Sequence, residues 1–369
     1  MNRRTRYFMT GAAALMVMGL GAGLVAYYNG GFPALSASPT GGPAELSFVP
    51  ADASVVAFAN VRDVMNSEFR QRLKAAMPHE TEAHNDFQQK TGINIETDID
   101  YIVAWMGPEG TEASGLVLVR GTGTLDHGRL EALAVEHGGR VSEYRGKRMV
   151  VGDMSRIHDE DDPDDDEEAG AKPDVEQPHR IGPQLHERRV RDGALAFLDQ
   201  GLVAVGEESA IKRAIDAHSD GRSISGSDEM MKLVGDIENG SNVWAVGRLD
   251  ALRQRQHIPE PVKNQLSSVK WFAASGRVNG GVTATLRAEA RDEQAAENLR
   301  DVVRGFLALA RLQANSDQKY AGLLESFQLS GSGTTVAVSF AVPIEILDLI
   351  APRHPRGEAP ELPEPPQRP

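Results

Sequence analysis

No cysteine occurs among the 369 residues, and that absence removes disulfide stapling, a lipid-bearing N-terminal cysteine and any thiolate chemistry at a metal or active site. Positive charge is scarce: 39 Lys and Arg against 53 Asp and Glu leave a net charge of −14. Binding along a phosphate backbone needs a basic stripe, and the sequence has none, which argues against nucleic acid as a partner. Aromatic residues make up only 5% of the chain. Familiar catalytic signatures are missing as well: there is no GxSxG elbow, no GxGxxG in a βαβ frame and no GxxxxGK[ST] loop.

What is present begins with "RRTRYFMTGAAALMVMGLGAGLVAYYNGGFPALSASP". Tyr7 to Tyr28 holds no charge, and at about 1.5 Å per helical residue the run reaches roughly 33 Å, enough to cross a hydrocarbon core of about 30 Å. A cleaved signal peptide has a shorter apolar heart with the cleavage site close behind it. Here the candidate site, Ala34 to Ala37, lies well past the run. Arg3, Arg4 and Arg6 precede the run and no Lys or Arg follows before Arg62. The positive-inside rule therefore keeps the N-terminus in the cytoplasm. The expectation is a single-pass anchor in a bacterial cytoplasmic membrane, with the body in the periplasm or outside. "RRTRYFM" departs from a twin-arginine signal because Arg6 stands where that signal needs an apolar residue. The Gly19 and Gly23 pair reads as ordinary membrane glycine.

The remaining chain divides by composition. Residues 1–29 are the cytoplasmic stub and anchor, and 30–47, rich in Gly, Pro, Ser and Ala, read as a flexible stalk. Residues 48–221 form a first α+β module and 222–351 a second, with 352–369 a disordered proline-rich tail. The division rests on an internal duplication. "SVVAFANVRDVM" (Ser54 to Met65) aligns without a gap to "SNVWAVGRLDAL" (Ser241 to Leu252), each an apolar strand, a turn residue and a helix start. Hairpins are expected at Asp199 to Gly201, at Asn279 and Gly280, and at Gly331 to Gly333. The fold class is α+β: two tandem, internally duplicated modules of antiparallel sheet with helices packed on one face, after an N-terminal transmembrane helix. An acidic insertion at about 155–192 interrupts the first module and lacks the apolar side chains needed to offset its ordering entropy.

These strand-to-helix openings, with "TGINIETDIDYIVAW" and "ALAFLDQGLVAVGEESAIKRAID", resemble a group of bacterial envelope proteins of unknown function that carry an N-terminal membrane anchor and a duplicated α+β domain. The resemblance implies the architecture and the compartment. It brings no activity, cofactor or site residue with it.

Several motifs imitate chemistry. Asp159 to Glu168 could gather a hard cation, but neither EF-hand register works: from Asp159 the fifth position is Pro163, and from Asp161 the sixth is Asp166. His79 and His84 in "HETEAH" are five apart, about 140° around a helix, and cannot share a zinc. "SAIK" (Ser209 to Lys212) with "KTG" (Lys90 to Gly92) suggests a serine penicillin-recognising enzyme, yet the order along the chain is reversed and no SDN intervenes. "GTGT" (Gly121 to Thr124) reads as turn and N-cap chemistry, and "FLALARL" (Phe306 to Leu312) as the buried part of an amphipathic helix. No catalytic, cofactor-binding or metal residue is assigned. The sequence reading is a non-enzymatic, membrane-anchored binding or scaffolding protein whose partners are the inner membrane and an envelope protein or polymer. The alternatives are an extracytoplasmic serine or carboxylate hydrolase and a small-ligand or lipid carrier.

Overall fold

The computed structural model describes residues 42–76, 88–89, 91–108, 115–123, 125–153, 192–248, 268–314 and 324–346. They form a mixed α+β fold around one large antiparallel sheet. Its strands are β1 (Val55–Ala59), β2 (Ile99–Met106), β3 (Gly115–Gly121), β4 (Arg140–Tyr144), β5 (Lys147–Asp153), β6 (Asp192–Asp199), β7 (Leu202–Glu207), β8 (Val243–Arg248), β9 (Val269–Val278), β10 (Gly281–Ala290), β11 (Gln328–Ser330) and β12 (Thr335–Pro343). Across the sheet they run β11-β12-β10-β9-β8-β1-β2-β3-β7-β6-β5-β4. The helices are α1 (Val61–Met65), α2 (Glu68–Ala76), α3 (Ile95–Asp98), α4 (His127–Glu136), α5 (Glu208–Ser219), α6 (Asp228–Gly235) and α7 (Glu293–Ala314). None of the described helices is long and apolar enough to cross a membrane. The stub, the anchor run, the acidic insertion and the proline-rich tail lie outside the described residues.

Local chemistry sets the element ends. Asn60 closes β1 and its side chain accepts from the Asp63 backbone N–H at 2.9 Å, capping α1. The β9–β10 turn is Asn279 and Gly280, the β6–β7 turn is Gln200 and Gly201, and β11 leads to β12 through Gly331 to Thr334, all where the sequence places them. One hairpin escaped the sequence reading: β4 and β5 turn on Arg145 (φ 46) and Gly146 (φ 76), the pair of positive angles a two-residue type I′ turn needs.

Helices cover both faces of the sheet, which corrects the expectation of one. On the first face, Leu46 and Val49, Ile211 and Ile215 of α5, and Met230 of α6 pack on Val56, Val103, Trp105 and Leu118, all buried. On the second, Val61 and Ile95 pack on Ile99 and Ile102, α4 sits by β5, and α7 meets Ala290 and Val336. Burial in β1 alternates as its sequence suggests: Val56 and Phe58 are buried on the first face, while Val55, Ala57 and Ala59 on the second are half-buried. Burying each large side chain there contributes about 1.5–3 kcal/mol.

Two boundaries also shift. The expected stalk ends too late, because Ala44–Phe48 forms a 3-10 turn with Glu45, Leu46 and Phe48 buried. Phe48 stacks on His218 of α5 with ring centroids 4.0 Å apart, so packed chain begins by Pro43. The two expected modules share one sheet, joined where β1 pairs with β8 and Phe58 stacks on Trp244 at 5.5 Å. The largest apolar core takes Leu118 and Leu198 from one side and Met230, Trp244 and Ala273 from the other.

Candidate functional site

Beyond β8 the first sheet face changes character. Register places Trp244 opposite Ser275, Ser275 opposite Thr285, Thr285 opposite Ser339, and Ser339 opposite Gln328. Side chains alternate along a strand, so this row and the neighbouring Arg277 and Thr283 share one side. Near the centre that side is apolar and covered by α5 and α6. Over β9, β10 and β12 it carries the hydroxyls of Ser275, Thr283, Thr285 and Ser339 beside the guanidinium of Arg277, and among the described residues no helix packs squarely on it. A shallow cavity of about 380 Å³ opens there, walled by Glu238, Asn239 and Ser241. Gly240 (φ 82) lets that wall close on the sheet: its carbonyl accepts from Arg277 Nε at 2.7 Å, and a Cβ would run into the guanidinium. Serine, threonine and glutamine each donate and accept, so the surface can pair with a neutral polar chain such as a glycan or an extended peptide.

A second cavity, of about 320 Å³, lies between α7 and β11. Arg300, Arg304, Leu307 and Arg311 follow one another at helical spacing along one stripe of α7 and line it, with Phe327 and Leu329 opposite. Phe327 is fixed by stacking on Phe340, centroids 5.0 Å apart. Arg300 is committed to structure, donating to Glu297 at 2.8 Å and to the carbonyls of Gly333 and Thr335 at 2.8 and 3.0 Å. Arg304 uses Nη1 for Glu297 at 2.9 Å and Asp301 at 2.8 Å. Hydrogen bonds from Arg304 and Arg300 hold the Glu297 carboxyl below its usual pKa.

Among the described residues the most buried carboxylate is elsewhere. Glu45, 2% exposed, accepts from Arg120 Nε at 2.9 Å and Nη2 at 2.5 Å through Oε1, and from the Tyr101 hydroxyl at 2.7 Å through Oε2. Burial, then the hydrogen bond and charge of Glu45, push the Tyr101 pKa up to about 12. Burial works against the Arg120 charge, but Glu45 outweighs it and its pKa is raised. This triad pins the entering chain to β2 and β3.

No protein family and no curated protein matches the chain. Similar solved structures include "Structure of crystal form I of TP0453", which is 8% identical over 85% of this chain and 98% of that one, with a TM-score of 0.39. A likeness at that level carries no functional argument.

The structure separates the motifs that imitate a penicillin-recognising site. Ser209 and Lys212 lie on α5, where Lys212 pairs with Glu208 at 2.6 Å and sits over the Tyr144 ring. Thr91 and Gly92 are across the sheet, next to Arg129 of α4. Gly92 (φ 76) donates its N–H to the Gln88 carbonyl at 2.8 Å, a helix-terminating contact. Lys90 itself lies outside the described residues. The "GTGT" stretch makes backbone turns: Gly121 N–H donates to Gly201 and Thr122 N–H to Asp98, while Asp126 caps α4 by accepting from Arg129 N–H at 3.0 Å. "FLALARL" needs correcting. Phe306, Leu309 and Leu312 are 40%, 46% and 69% exposed, so the stretch is not the buried part of the helix. Among the described residues no group of three or more His, Asp or Glu could hold a metal ion. His79 to His84 and Asp159 to Glu168 fall outside them. Sequence reading missed both the arginine stripe, visible as Arg300-Arg304-Leu307-Arg311, and the Glu45 triad, which has no local signature.

Proposed function

We propose that this chain is a non-enzymatic, membrane-anchored extracytoplasmic protein that binds or scaffolds an envelope protein or polymer, and that its body arose by duplication. The observation that carries the binding reading is the hydroxyl row of Ser275, Thr285, Ser339 and Gln328, a polar, hydrogen-bonding sheet face beside an apolar, covered one. Such a face costs solvation wherever it is buried without partners, and it suits a ligand that supplies hydrogen bonds along its length. The uncharged run Tyr7 to Tyr28 with Arg3, Arg4 and Arg6 before it supports the tether.

Strand order supports the duplication. Outward from the centre one side reads β1-β2-β3-β7-β6 and the other β8-β9-β10-β12-β11, with β5 and β4 added at the far edge of the first. The helix after β3 and the helix after β10 correspond. Register refines the gapless alignment by one residue. That alignment sets Phe58 against Ala245, but Phe58 lies in the main core on the first face with Trp244 and Val246, and Ala245 points to the other. Equating Phe58 with Val246 restores the faces, since a one-residue slip turns every side chain over.

A photo-cross-linking side chain at Thr285 or Ser339, in the full-length chain within its native envelope, tests the site. Adducts with a protein or polymer are expected there and not from Val141, an exposed position on the opposite face. Equal labelling at all three positions, or none at any, counts against the reading.

A further inference from the structure

We infer that the cavity between α7 and β11 is a binding site for a small amphiphilic anion, a phosphate or carboxylate joined to a hydrocarbon group. This goes beyond the sheet-face reading and does not rest on it, because the two cavities are on opposite sides of the sheet. The site combines two features that a salt-bridged helix surface does not require. First, its cations are not all spent. Arg304 uses only Nη1 on its carboxylate partners, leaving Nε and Nη2, and Arg311 makes no hydrogen bond or ion pair with any described residue. Glu297 and Asp301 offset two of the three guanidiniums, so the wall keeps one net positive charge in a protein of net charge −14. Second, the cations flank Leu307 on the helix and face Phe327 and Leu329 across the cavity, which gives the site an apolar floor. A free inorganic anion would gain from the arginines and lose nothing to the floor; an anion carrying hydrocarbon gains from both.

Size narrows the class. The cavity, about 320 Å³ and open to solvent on one side, suits a small ligand such as octanoate or phenyl phosphate. The bidentate fork of an arginine matches either headgroup. Arg304 and Arg311 are two helical turns apart with Leu307 between them, which places a charged end at either guanidinium and the hydrocarbon over Leu307. Arg300 shapes the wall through its carbonyl contacts and is not assigned to the ligand.

Calorimetric titration of the full-length chain in phosphatidylcholine nanodiscs, with empty nanodiscs as the blank, tests this. Octanoate and phenyl phosphate should each bind at one site per chain, and inorganic phosphate and hexanol at least about tenfold more weakly. Arg311→Gln and Arg304→Gln should each weaken binding about tenfold, with Arg311→Gln leaving thermal stability unchanged because the side chain has no partner among the described residues to lose. Leu329→Asn should weaken phenyl phosphate and leave inorganic phosphate unaffected. Replacing part of the phosphatidylcholine by phosphatidylglycerol separates the sources: competition assigns the anion to a lipid headgroup, and its absence to a free ligand. Binding that ignores both arginine substitutions, or inorganic phosphate binding as tightly as phenyl phosphate, overturns the inference.

Discussion

Replacing Glu45 by alanine removes a 2%-exposed carboxylate that Arg120 and Tyr101 both address. Deleting one member of a buried pair strands the other, at about 3–5 kcal/mol. The Arg120 side chain is 24% exposed and can regain some water, so the lower end, about 3 kcal/mol, is expected for Glu45→Ala. Glu45→Gln keeps an acceptor for the Tyr101 hydroxyl and loses the charge, for about 1.5 kcal/mol. Urea unfolding of the full-length chain, followed by tryptophan fluorescence, reads the change directly, since Trp105 and Trp244 are buried in the core that the Ala44–Phe48 turn covers. At about 2.1 cal/mol/K of unfolding entropy per residue, about 3 kcal/mol lowers the midpoint temperature of a body this large by roughly 4–7 °C. A cycle of Glu45→Ala, Arg120→Ala and the double variant should show a coupling above about 1 kcal/mol. A Glu45→Ala midpoint within about 0.5 kcal/mol of wild type, or strictly additive variants, would show that the triad does not hold the entering chain and refute the reasoning.

Two further predictions concern the same core. Because the fold raises the Tyr101 pKa from 10.0 to about 12, both states keep the phenol proton below pH 10 and the contribution is fully present there. As pH rises from about 10 to about 12 the unfolded chain ionises first and the contribution is lost. Alkaline unfolding should therefore steepen in that window for wild type and flatten for Tyr101→Phe; parallel curves would contradict this. At the central strand pair, a Cβ on Gly247 would lie 2.5 Å from the Ser54 carbonyl oxygen and 2.9 Å from Val55 Cα, both backbone atoms. Gly247→Ala should cost about 1–3 kcal/mol in chemical denaturation, whereas Gly280→Ala, whose nearest contact is 3.7 Å away on Glu68, should fall near wild type.

Sequence by itself determined what depends on neighbours in the chain. Alternating or continuous apolar runs marked most of the strands, Asn60 and Asp126 supplied caps within three residues of their partners, and Asn279-Gly280 and Gly331 to Gly333 placed turns, because backbone geometry and capping are local. Tertiary structure alone decided what depends on long-range register. It joined the expected modules into one sheet through Ala57 and Ala245, put helices on both faces, and moved Glu45 from a supposed stalk to a buried contact with a residue 75 positions away. It also put Ser209 and Gly92 on opposite sides of the sheet. The arginine stripe could have been read from its helical period, but only β11 packing beside it turns that stripe into the wall of a cavity. No pattern within a segment encodes which distant strand will lie against it, and that is where the candidate sites are made.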